Sequence, residues 1–390
     1  MSVEGDESFV TGVYQGNIKP TLGAGLKTNF KPWHKPRKHF LRLNQWCAHA
    51  KLLIESQNLS INGELRYLGL PGEDLLDIRV LQQLCQQNDM LLRYIGFDTS
   101  LMSQDLSLSR HAINSSGFIH RASVVLGDSL DNIVSHTHPS YSLVDQNAPY
   151  DIINLDFCGS ITRRDKEGVL SNLESIKKLC DIQRKRSTRK WILFLTSRGL
   201  RADLKREDIE QLYCQVIANI DHGGGFPEAL AADLKIDIDI LRREAEAPWG
   251  AMDVDQWASS YVLAVSKWLL SYLTSAGGIE IKLLESYFYN VGPQGKDMIS
   301  LSFSIEPTGV VLTDSSGLTV ANPITMPSIP SESDMACALV TQISNMRDVD
   351  ETLSSDTTLF DKMVKKSGEL LRPLGYDIEA YGKYALETYE

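Results

Sequence analysis

Three aspartates stand where an apolar run gives way to a polar loop: Asp98 after 91–97, Asp128 after 122–126, and Asp156 after Ile152, Ile153 and Leu155. Runs of this kind suit strands buried on both faces of a parallel sheet. An acid just beyond such a strand lies at its carboxyl end, where open α/β sheets bind ligands. A carboxylate there can accept hydrogens from the hydroxyls or amines of a ligand. The competing reading of Asp98 and Asp128 is a turn or helix-capping aspartate, and of Asp156 a cap beside a core Phe157.

The elements that must position these acids are legible in outline. Apolar residues recur at helical spacing over 38–57 (Phe40, Leu43, Trp46, Ala50, Leu53, Ile54), predicting one amphipathic helix. Strands are predicted over 65–70, 91–97, 122–126, 152–156 and 191–196, with helical patterns over 75–86, 169–184 and 206–220 between or after them. That alternation predicts βαβ units and a parallel sheet. A long helix over 253–274 follows. Strands over 279–289 and 298–305, joined by the turn residues Asn290 to Gly295, predict an antiparallel pair at the sheet edge. The expected organisation is an arm and amphipathic helix over 1–59, a doubly wound α/β core over 60–306, and a linker with an acidic helical extension over 307–390.

Composition narrows the class. The chain has 390 residues, 43% of them hydrophobic, and a formal net charge of −11. Its six cysteines show no C-x-x-C spacing, so a zinc ribbon or disulfide framework is not expected and a reducing cytoplasm fits best. No apolar run reaches membrane-spanning length, and 1–10 is polar and acidic, unlike a signal peptide. His136 and His138 lack matching acids or cysteines, so no metal site is expected.

The ordered strand-and-loop units resemble the class I S-adenosylmethionine-dependent methyltransferases, over about residues 60–306. Gly69-Leu70-Pro71-Gly72 stands where that family's glycine-rich cofactor loop follows the first strand. Asp98 stands where an acid binds the ribose hydroxyls, and Gly127-Asp128 where an acid lies near the adenine. The run Tyr150-Asp151-Ile152-Ile153-Asn154-Leu155-Asp156-Phe157-Cys158-Gly159-Ser160 looks most like the fourth-strand motif of the tRNA guanine-N2 methyltransferases. Phe157-Cys158 departs from that motif's proline-aromatic pair, and Pro71 removes an N–H from the loop.

The resemblance implies S-adenosylmethionine as cofactor, held by Gly69, Gly72, Asp98 and Asp128. It implies Asp156 as the group that orients an amine acceptor and draws off its proton, with Phe157 stacking on a flat base. Nucleic acid is the expected substrate. The binding residues expected for it are Trp33, Arg37, Lys38 and Arg42 in a stretch of interleaved bases and aromatics, with Arg163, Arg164, Arg198 and Arg201 beyond the fourth and fifth strands. Bases at a helix start oppose the helix dipole, so an anion should offset them: nucleic acid, or the acidic C-terminal region of the same chain. The alternative function is a catalytically silent methyltransferase-shaped binding or scaffold subunit with a protein partner; neither reading involves a membrane.

Overall fold

A computed structural model describes residues 26–100, 104–115, 117–165, 168–246, 252–293, 295–308 and 330–387. Residues 1–25 of the expected N-terminal arm and most of the linker expected from 307 lie outside them. Five parallel strands form the centre: β1 (Glu64–Gly69), β2 (Leu91–Phe97), β3 (Val124–Leu126), β4 (Ile152–Asp156) and β5 (Trp191–Arg198). β6 (Ile279–Leu283), β7 (Tyr287–Tyr289), β8 (Met298–Pro307) and β9 (Arg347–Asp348) complete the sheet. Its order is β3-β2-β1-β4-β5-β8-β7-β9, with β6 also paired to β8. β8 runs antiparallel to β5 and to both β6 and β7. The doubly wound sheet with an antiparallel late strand is therefore present.

Two details depart from the sequence reading. The strand expected over 279–289 is broken at 284–286 into β6 and β7, both laid against β8. β9, contributed by the acidic C-terminal region, extends the sheet beyond β7 in parallel.

Alternating side chains along each strand supply opposite faces. Leu68, Ile95, Ile153, Leu155 and Leu193 join one core cluster, with residues of the helices Ser171–Arg186, Arg206–His222, Val254–Thr274 and Glu332–Ser344. Tyr67, Tyr94, Ile152, Ile192 and Phe194 join a second, with the helices Leu76–Gln87, Ala48–Gln57, Thr357–Leu371 and Ile378–Leu386. No described helix is long and apolar enough to cross a membrane.

The helix expected over 38–57 is continuous but not uniform. It starts at Pro36, whose fixed φ suits a first helical position. A π-helical turn, Arg42–Cys47, separates Pro36–Leu41 from Ala48–Gln57. Asn58 closes it in the left-handed conformation (φ 51°).

Candidate functional site at the carboxyl end of the sheet

Strand order reverses between β1 and β4, which makes their carboxyl ends the switch point where such folds bind ligands. In this chain that point is filled by polar side chains of the chain itself. Lys38 projects from Pro36–Leu41 and places its Nζ 2.6 Å from Asp156 Oδ1, at the end of β4. The same ammonium donates to Tyr289 Oη at 3.3 Å, and it lies 5.2 Å from the Trp46 ring centroid. Burial pushes the Lys38 pKa down, and the Asp156 carboxylate offsets part of that shift.

One turn further on, buried Arg42 donates through Nη1 to the Trp33 carbonyl at 3.0 Å. Burial opposes its charge, whereas Asp77, Asp156 and Asp74 support it. Tyr67 on β1 donates its hydroxyl to Asp77 in the first turn of Leu76–Gln87. Desolvation raises the Asp77 pKa.

A second buried arrangement ties the N-terminal segment to the C-terminal helices. The Lys31 backbone N–H donates to His34 Nδ1 at 3.1 Å, and His34 Nε2 lies 2.8 Å from Asp74 Oδ2. An acceptor at Nδ1 requires the proton at Nε2, so one neutral tautomer satisfies both contacts. Burial lowers the His34 pKa, which keeps the ring neutral. Burial pushes Asp74 upward, but its bonds from His34 and Tyr376 outweigh this and hold the carboxyl below its ordinary value. Tyr376 Oη donates to Asp74 at 3.2 Å, and Tyr381 Oη to the His34 carbonyl at 2.7 Å. Gln45 and His49 pin the same helix to β8, through Ser300 and Ser302.

The expected substrate residues are placed differently from the sequence reading. Arg37, Lys38 and Arg42 are buried, and Trp33 packs against the core and gives its carbonyl to Arg42. Arg37 Nε sits 2.9 Å from Asp350 Oδ1. The anion opposing the helix dipole is thus internal: Asp350 of the acidic C-terminal region, together with Asp156. Burial of an unpaired charge is costly, which is why these bases turn toward carboxylates rather than solvent.

Arg163 pairs with Asp131 at 2.7 Å, Arg164 donates from Nε to Asp208 at 2.8 Å, and Arg198 lies 3.1 Å from Asp203 and 3.6 Å from Asp297. Arg201 covers the Trp257 ring and donates to the Met252 carbonyl at 3.2 Å. Three of these four arginines thus face carboxylates of the chain, whereas Arg201 is held by a ring and a carbonyl.

The expected catalytic pair is divided. Asp156 faces Lys38 on one side of the sheet, whereas Phe157 is buried in the opposite core cluster. A ring in that core cannot stack on an acceptor held by Asp156; consecutive residues of an extended chain point apart.

The expected cofactor residues do line adjoining strand ends. Gly69 is paired with Gly96 and Asn154 across β2 and β4. It is crowded by the chain itself, since an added Cβ would run into Tyr67 Oη. Gly72 instead adopts φ +64° with open space where a side chain would project. Pro71 packs its ring over Gly96, which accounts for glycine there. Asp98 accepts from the Ser100 amide (2.7 Å) and hydroxyl (2.5 Å), an Asx turn. Asp128 accepts from the Ser129 amide at 2.9 Å and from Asn132 and Ser140. Burial raises the Asp128 pKa, but those bonds outweigh it and leave the carboxyl below its ordinary value. Cys158 is exposed, and Gly159 has open space beside it. Among the described residues no cluster of His, Cys, Asp and Glu is arranged to hold a metal ion.

Sequence reasoning missed Asp74, Asp77, Tyr67 and Tyr289 as parts of this site. The density of bases and histidines in a helix with an apolar pattern was its one available signal.

A doubly wound sheet with this strand order and an antiparallel strand after the fifth is the architecture that the class I methyltransferase resemblance implies. The chain belongs to the PP_RS20740-like family, whose model matches residues 27–386. No curated protein matches it. Among solved structures, precorrin-6y C5,15-methyltransferase from Geobacter metallireducens GS-15 aligns with 64% of this chain and 87% of its own, at 8% identity and a TM-score of 0.23.

Proposed function

We propose that this chain is a methyltransferase-fold binding or scaffold subunit that does not itself transfer methyl groups. The observation behind this reading is the Lys38–Asp156 pair. The carboxylate that would orient an acceptor amine is already bonded at 2.6 Å to a buried ammonium of the same chain. An acceptor reaching Asp156 would have to share the carboxylate with that ammonium, which weakens its pull on an amine proton, or displace it and leave a buried charge without its partner. The buried histidine–aspartate–tyrosine contacts hold the covering segment in place. A protein partner fits this role better than a phosphate chain, because Arg37, Lys38, Arg163, Arg164 and Arg198 already face internal acids.

A second reading, S-adenosylmethionine-dependent transfer to a nucleic-acid base, draws support from the open space at Gly72 and Gly159. Calorimetric titration with S-adenosylmethionine and S-adenosylhomocysteine separates the two. The scaffold reading expects no saturable heat at millimolar ligand and no methyl transfer to RNA or DNA. Micromolar binding with transfer would overturn it in favour of the second.

A further inference from the structure

A cavity of about 500 Å³ opens between the helices Arg206–His222 and Val254–Thr274, the start of β6 and the start of Glu332–Ser344. Its place follows from register. Ile279 at the start of β6 lies opposite Pro307 at the end of β8, and Ile305 of β8 lies opposite Trp191 at the start of β5. The cavity therefore borders the amino ends of the parallel strands, at the edge opposite the Lys38–Asp156 site.

Its charges are already matched. The Lys267 side chain is 2% exposed and its ammonium pairs with Glu332 and donates to Ser271 Oγ at 2.6 Å. The helix start beside it is satisfied by Ser331 and Asp334 in a capping box. An ionic ligand would have to split the lysine–glutamate pair and strand one charge in a desolvated wall.

What remains available is neutral and polar. Gln215 and Asn219 stand one helical turn apart on the same helix face, both lining the cavity. Each carboxamide carries donors and an acceptor. The Asn219 amide has no hydrogen-bond partner among the described residues, and the Gln215 amide donates only to the Cys214 sulfur at 3.6 Å. Ile279 and Met335 supply an apolar surface beside them. Paired carboxamides next to an apolar face suit a ring that has C–H groups on its face and hydroxyls at its rim.

We propose that this cavity binds a neutral, hydroxyl-rich ring of the ribose or ribonucleoside class. The full-length chain is titrated with adenosine and with ribose, by ligand-observed NMR and calorimetry, alongside Gln215→Ala and Asn219→Ala. Both positions are half-buried, so the fold tolerates them, and a circular dichroism melt verifies this. At least one probe should bind saturably in the millimolar range or better, and Asn219→Ala should weaken it about tenfold. Binding by both probes shows that the ring hydroxyls suffice, whereas binding by adenosine alone assigns the base a share of the contacts. No saturable binding of either probe overturns the proposal. So does binding that neither substitution alters, which would place adenosine elsewhere, as at the Gly72 rim.

Discussion

Replacing Lys38 by methionine tests whether charge holds the carboxyl end of the sheet together. Methionine keeps most of the side-chain length and removes the ammonium, leaving Asp156 without its 2.6 Å partner. Removing one member of a fully buried pair costs about 3–5 kcal/mol. The Asp156 side chain is 22% exposed, so water recovers part of its solvation. The expected loss is therefore smaller, roughly 2–3 kcal/mol. The double variant Lys38→Met/Asp156→Leu removes both charges and should return to within ~1 kcal/mol of the parent, since apolar replacements of buried pairs are near neutral. Urea unfolding at neutral pH, followed by tryptophan fluorescence, reads the effect; Trp46 lies close enough to the ammonium to report locally.

Proton linkage supplies a further check on the same variant. Burial lowers the folded pKa of Lys38, so between that value and the ordinary lysine pKa the unfolded chain binds more protons. The stability of the parent relative to Lys38→Met should accordingly rise with pH through that window. A single variant as stable as the parent, or losses that simply add in the double variant, would refute the reasoning.

Two further perturbations bear on the neighbourhood. Gly69→Ala should destabilise by at least ~2 kcal/mol, because the new methyl meets the Tyr67 hydroxyl and, at 2.8 Å, the Asn154 carbonyl. Gly72→Ala, with open space but φ +64°, should cost only about 1 kcal/mol; equal losses in denaturation midpoints would contradict the contrast. Burial lowers His39 to about 3 and His49 to about 4, so unfolded rings take up protons that folded rings refuse. Stability should therefore fall as pH drops below the ordinary histidine value and level off near those folded values. The loss is at most a few kcal/mol per ring. In pH-dependent urea titrations His49→Gln should show a shallower acid decline than the parent, and an unchanged decline would refute buried neutral histidine as its cause.

The sheet was legible because its signals are local. Ile152, Ile153 and Leu155 are apolar on both faces of an extended chain, and only a covered parallel strand buries such a run. The polar turn after Tyr289 likewise marked the antiparallel return to β8, since backbone freedom at a turn is a property of a few neighbouring residues. The break at 284–286 was hidden, because Leu284-Glu285-Ser286 holds no glycine or proline to mark it.

The direction of the basic helix belonged to the tertiary structure alone. Lys38, Arg42 and Arg37 read as surface charge for as long as their partners are unknown, and those partners come from β4, from the start of Leu76–Gln87, and from the C-terminal region. A charge is buried only where remote carboxylates converge on it, and convergence is set by packing rather than by spacing along the chain. The separation of Asp156 from Phe157 has the same origin. Adjacent letters are placed on opposite faces by the pleat, and which face holds a site depends on what packs there.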